Sequence, residues 1–310
     1  MNRFFIVLTV STLILTACGG TPASPAGTVD PVILASTTFL ADIAQNVAGE
    51  RVQVDSFLPI GAEPHSYQPT PQDVTRIAKS NLLILNGVEY EGFIEALLEN
   101  AGGERIIVTA SDGIAPREMV AHADEGESSG NAGEEAGDPH LWLDPNLVVT
   151  YVENIREGLT HLDPDGAAEY KSNAEAYVAE LQALDAWIVE QVSQIPAEQK
   201  LLVTNHEALG YFAERYGFDV VGTVVESFST DASPSAQQMA DLIDQIKASG
   251  ARAIFLGASD NPTLAEQIAA ETDAQVITDL HLESLTDGPP AGSYIEMMKH
   301  SVKLIVEALK

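Results

Sequence analysis

The chain has 310 residues, with 15 basic against 46 acidic side chains and a formal net charge of −31. That balance argues against nucleic acid as a partner, because phosphates are neutralised by Lys and Arg, and it favours cations near the surface. A single cysteine, Cys18, leaves no internal disulfide, so stability has to come from core burial, which the length allows.

Arg3 followed by the apolar run 4–15 has the shape of an export signal. The run is too short to span a bilayer, which needs ~20 residues. It ends in Leu15-Thr16-Ala17-Cys18-Gly19, the small-residue pattern of a lipoprotein signal. Residues 1–17 therefore read as a removable signal and Cys18 as a lipidated first residue, and residues 18–30, rich in Pro, Ala and Gly, read as a tether. The expected location is outside the cytoplasm, anchored by lipid to the outer face of the cell membrane or periplasmic.

Short β-branched or apolar runs then alternate with amphipathic stretches, the pattern of an α/β fold with mainly parallel sheets flanked by helices. Strands are predicted at 32–35, 52–58, 82–85 and 105–109, and again at 201–204, 219–224, 253–256 and 275–278. Residues 116–137 set Asp124, Glu125, Glu127, Glu134 and Glu135 among Gly, Ser and Ala, with His122 as their one imidazole. Too few apolar residues are present to offset the entropy of ordering, so a disordered acidic loop is expected, with His122 as an auxiliary cation contact. In 166–195 the residues Tyr170, Tyr177, Leu181, Leu184 and Ile188 recur at helical spacing with no internal Pro or Gly until Pro196. That predicts one long rigid helix joining an N-terminal lobe, 31–165, to a C-terminal lobe, 196–310.

Position separates the histidines. His161 closes a helical stretch, where an imidazole suits the carbonyl end, and His300 lies within the last helix; both read as structural. His65 follows a strand in GAEPHSYQPTPQD, between Pro64 and a helix start at Thr70-Pro71-Gln72-Asp73. His140 is confined likewise in GDPHLWLDP, by Pro139 before it and Asp144-Pro145 after it. His206 follows the strand 201–204 in TNHEALGYFAERYG, and Glu283 follows 275–278 in LHLESL. These four lie at or beyond strand carboxyl ends, where open α/β sheets bind ligands. Imidazoles and a carboxylate on stiff loops are the donors a divalent transition metal takes.

Together with the closing GSYIEMMKHSVKLIVEAL, these segments resemble the metal-binding lipoproteins that deliver zinc or manganese to ABC importers, over nearly the whole mature chain. The resemblance implies two α/β lobes joined by a long rigid helix. It also implies a metal between them held by His65, His140, His206 and Glu283, an importer permease in the membrane as partner, and a monomer. Two departures matter: the insertion before the second motif, often rich in histidine in zinc-type relatives, is here acidic with only His122, which speaks against a zinc trap, and the fourth ligand differs. The fourth ligand in such proteins is usually aspartate, whereas here it is Glu283, with Asp279 and His281 close enough to compete. Manganese-type relatives tend to present a carboxylate at the third motif, whereas here His206 is followed by Glu207. Three imidazoles and one carboxylate suit Zn2+; recruitment of Glu207 would tilt the site toward Mn2+ or iron. A zinc hydrolase is disfavoured, because HEALG lacks the second histidine of the H-E-x-x-H helix and no nucleophile elbow or phosphate loop occurs. A surface adhesin would have no use for histidines placed at strand ends.

Overall fold

Eight short strands set the frame of the computed structural model, which describes residues 31–118, 137–227, 230 and 233–310. Cys18 with the expected signal and tether, and residues 119–136 with His122, lie outside the described residues. The first sheet contains β1 (Ile33–Ala35), β2 (Val54–Ser56), β3 (Leu82–Leu85) and β4 (Ile106–Thr109) in the order β2-β1-β3-β4. The second contains β5 (Leu201–Thr204), β6 (Asp219–Thr223), β7 (Ala253–Gly257) and β8 (Gln275–Leu280) in the order β6-β5-β7-β8. Every pairing is parallel.

Parallel neighbours need crossovers, and helices supply them. In the first half these are α1 (Thr38–Ala48), α2 (Pro71–Lys79) and α3 (Gly92–Ala101). After α4 (Pro145–Leu162) and α5 (Ala167–Val192), the second half repeats the scheme with α6 (Gly210–Tyr216), α7 (Ala236–Ser249) and α8 (Thr263–Thr272), and α9 (Tyr294–Leu309) closes the chain. Helices on both faces leave a central strand no solvated side. Leu82, Leu83 and Ile84 are accordingly all buried, as a continuous apolar run requires. The two parallel sheets flanked by helices and the long helix are the α/β architecture that the sequence pattern predicts.

The 26 residues of α5 rise about 39 Å. Tyr170, Tyr177, Leu181, Leu184 and Ile188 form its buried stripe, joined by Ala174 and Val192. That stripe packs on α4, α1 and α9. One apolar cluster runs from Ile33 and Val108 through Tyr177 and Leu184 to Leu202 and Phe255, so the two sheets share a core through the helix. The helix stops at Val192 instead of reaching 195, since Ile195 precedes Pro196, whose ring disfavours helical backbone at the residue before it.

Two strands depart from expectation. β2 is three residues long, although the Phe57 and Leu58 amides still donate to Ala35 O and Ser36 O. β8 extends to Leu280 through an irregularity. From Phe255 to Gly257 β7 advances two residues while β8 goes from Ile277 to Leu280, one residue more, and Asp279 takes φ 72°. Among the described residues no helix is long and apolar enough to cross a membrane.

Candidate metal centre

The polypeptide leaves β2, β4, β5 and β8 into four loops, and each brings one donor to a common point. His65, His140, His206 and Glu283 each offer a ligand atom within 4.8 Å of the others. Glu283 Oε1 lies 3.1 Å from His65 Nε2, 3.3 Å from His140 Nε2 and 3.4 Å from His206 Nε2, and the last two nitrogens are 3.3 Å apart. Donors about 2.0–2.2 Å from a tetrahedral ion stand about 3.3–3.6 Å from one another, so these spacings fit a single small cation. His140, His206 and Glu283 are buried.

Each loop is held for a local reason. Thr70 and Asp73 form the capping box of α2 with Pro71 in its first turn, and Tyr67 donates its hydroxyl to the same Asp73 carboxylate at 3.0 Å. Upstream, Glu63 accepts from the amides of His65 and Ser66. The His65 loop is thus closed at both ends. For His140 the device is Asp138, whose Oδ1 accepts both the backbone N–H and Nδ1–H of His140 at 2.9 Å. A proton on Nδ1 leaves the Nε2 lone pair facing the centre. Asp138 is anchored in turn by Arg117, 3.5 Å from Oδ2, and by the Tyr211 hydroxyl donating to its carbonyl at 2.8 Å. The His206 carbonyl accepts from Thr204 Oγ1 and the Ala208 amide, which turns the chain directly after β5.

Glu283 comes from the second half but is fastened to the first. Trp142 Nε1 donates to Leu282 O at 2.7 Å, Gly61 N to Ser284 Oγ at 2.8 Å and Leu285 N to Thr38 Oγ1 at 2.8 Å. The tryptophan of the GDPHLWLDP segment therefore fixes the carboxylate opposite its own histidine, while its ring and that of Tyr90 wall His140 at 5.2 and 6.2 Å between centroids. A cavity of about 120 Å³ reaches His206 and Glu283 between Ile60, Asp260 and His281.

Electrostatics match a site built for a cation. Burial would raise the Glu283 carboxyl, but the three imidazoles outweigh it and hold the group well below the usual carboxylate range. Burial would likewise lower His140; hydrogen bonds to Asp138 and Glu283 overcome it and raise the imidazole to about 9.

Asp279 and His281, the competitors for the fourth place, are not brought to this cluster; they gather with His300 in a group of their own. His300 lies on the last helix, as its position in the sequence predicts. Glu207 also stays outside. It faces a separate cavity of about 280 Å³ shared with Arg117 and Asp138, and burial, with the Asp138 and Glu226 carboxylates, raises it to about 7. Adjacent residues leaving a strand point to opposite sides, so His206 at the centre turns Glu207 away from it. Asp138, Trp142 and Asp260 were not singled out as site residues by sequence reasoning. For Asp138 a signal existed in its place two residues before a proline-confined histidine, whereas the partner of Trp142, Leu282 O, depends on the tertiary fold.

Comparison with known proteins identifies the family. The family profile described as zinc-uptake complex component A, periplasmic (ZnuA) matches residues 33–308. The manganese-binding lipoprotein MntA of Halalkalibacterium halodurans is 34% identical over 99% of this chain and 98% of its own length. The iron-binding protein YfeA of Yersinia pestis is 34% identical over 98% and 94%. Among solved structures, the periplasmic zinc binding protein TroA from Treponema pallidum superposes with a TM-score of 0.80 at 28% identity, over 91% of this chain and 99% of that one. Extent of match and shared fold together place the chain in the ZnuA family of metal ABC transporter substrate-binding proteins, whose members bind and hand over metals and are not enzymes.

Proposed function

We propose that this protein captures Zn2+ outside the cytoplasm as cargo, holds it between His65, His140, His206 and Glu283, and delivers it to the permease of an ABC importer. One observation carries the choice of ion: a single carboxylate oxygen faces three imidazole nitrogens at tetrahedral spacing. That donor set suits zinc, while manganese favours harder, carboxylate-rich surroundings. In this reading the protein works as a monomer tethered through lipid on Cys18. The halves 31–165 and 196–310 supply two donors each across the connecting segment 166–195.

The second reading, a manganese or iron carrier, rests on the names of the relatives MntA and YfeA. Competition against chelators of graded affinity, with Zn2+, Mn2+ and Fe2+ in turn, decides between the two. Zinc held at least about a thousandfold more tightly than manganese, a gap of about 4 kcal/mol, is the expected result. Equal or tighter manganese binding would overturn the zinc assignment while leaving the carrier reading intact.

A further inference from the structure

Outside the buried centre, the described residues contain one more group able to hold a metal: Asp279, His281 and His300, with a donor atom from each within 4.8 Å of the others. Asp279 Oδ1 lies 3.6 Å from His281 Nε2 and Oδ2 lies 3.4 Å from His300 Nε2, and the two rings stand 5.3 Å apart. Each imidazole thus faces its own oxygen of the carboxylate, at the spacing that two donors of one zinc-sized ion take. The setting differs. His281 and His300 are mostly enclosed, at 10% and 19% side-chain exposure, whereas Asp279 is 62% exposed.

The backbone at this point is shaped for the arrangement. The extra residue that β8 carries against β7 coincides with Asp279, which adopts φ 72°, a region that few residues other than glycine enter and that Asp, with Asn, enters more readily than most. A bulge of this kind re-aims a side chain at the edge of a strand, and strain of this kind persists where its surroundings enforce it. His281 is clamped at both backbone groups, its N–H donating to Ser301 Oγ at 3.0 Å and its carbonyl accepting the Ser301 hydroxyl at 2.9 Å. His300 precedes that serine on α9, and its Nε2 reaches Asp279 O at 3.0 Å. One helix turn thus fixes both the segment that presents His281 and the ring of the second histidine.

We propose that Asp279, His281 and His300 form a second, open site for a divalent transition-metal ion, separate from the buried one. Two imidazoles and one carboxylate are a donor set for zinc, nickel or copper(II) and a poor one for magnesium or calcium. Three protein ligands leave the remaining coordination positions to water, so the ion exchanges readily and binds more weakly than at the four-donor centre. When His300 binds through Nε2, the ring proton passes to Nδ1 and the contact with Asp279 O is given up.

Calorimetric titration of Zn2+ into the full-length protein already loaded with one equivalent tests this. A second equivalent is expected, weaker than the first by about a hundredfold or more, roughly 2.7 kcal/mol. His300→Ala is expected to abolish it, and so is Asp279→Gly, which removes the carboxylate while placing glycine where φ is positive and the backbone is kept. Both variants retain the first equivalent, which is scored separately with His140→Ala, so failure here does not touch the reading of the buried centre. Uptake of only one equivalent by the unaltered protein, or a second equivalent that survives both substitutions, would overturn the proposal.

Discussion

Asp138 shows how much a single residue does at the buried centre. By accepting from Nδ1 it fixes which ring nitrogen of His140 faces the centre, and against the cost of burial it joins Glu283 in raising that imidazole to about 9. Asp138→Asn is expected to lower zinc affinity about 10- to 100-fold without unfolding the protein, as read by chelator competition alongside circular dichroism. The raised His140 also predicts a pH dependence. Zinc has to displace the proton, so log apparent affinity rises with pH by up to about one per unit between pH 7 and 8; a flat profile there would show that the imidazole is already neutral. Stability of the metal-free protein has the opposite sign. A histidine raised from an unfolded value near ~6.5 contributes fully below that pH and loses its contribution as pH climbs through about 9, so the metal-free Tm should fall across that window. Glu283, held low by the same imidazoles, contributes above its unfolded value near ~4.3, and that contribution is lost in acid.

Elements with a local signature could be read in advance. The apolar stripe of α5 depends only on spacing along one helix, and the Thr70–Asp73 capping box only on residues three apart, and both formed where the sequence places them. Leu184, buried in that stripe, is expected to cost about 2–5 kcal/mol on replacement by alanine, measured by denaturant unfolding. What could not be read depends on register between distant segments. The bulge that turns Asp279 out exists only because β8 pairs with β7, and the hydrogen bond from Trp142 to Leu282 O joins residues 140 apart. Nothing near Asp279 or His281 in the sequence told which side of β8 they would face, and so they stood as rivals of Glu283. Trp142→Phe keeps an aromatic side chain but removes the donor and leaves part of the buried indole volume unfilled. It is expected to cost about 1–3 kcal/mol in unfolding experiments and to speed zinc release in stopped-flow exchange, since the Glu283 segment loses one of its ties to the first sheet.

At the scale of the whole molecule, two sheets with the same strand order share a core through α5, and each contributes two donors beyond its strand ends. His65, His140, His206 and Glu283 were legible as a set because all four lie just past predicted strands; that their donor atoms meet was visible only in the folded chain. A net charge of −31 draws cations toward that meeting point, so the zinc association rate should fall by about tenfold between low and high ionic strength, whereas the ordering of zinc over manganese should not change. The central claim is that one ion is held by these four side chains. Anomalous diffraction at the zinc edge from crystals of the zinc-loaded protein measures this most directly. The strongest peak should lie about 2.0–2.2 Å from Nε2 of His65, His140 and His206 and from a carboxylate oxygen of Glu283. A strongest peak away from these four atoms, or one coordinated by Glu207 in place of His206, would contradict it.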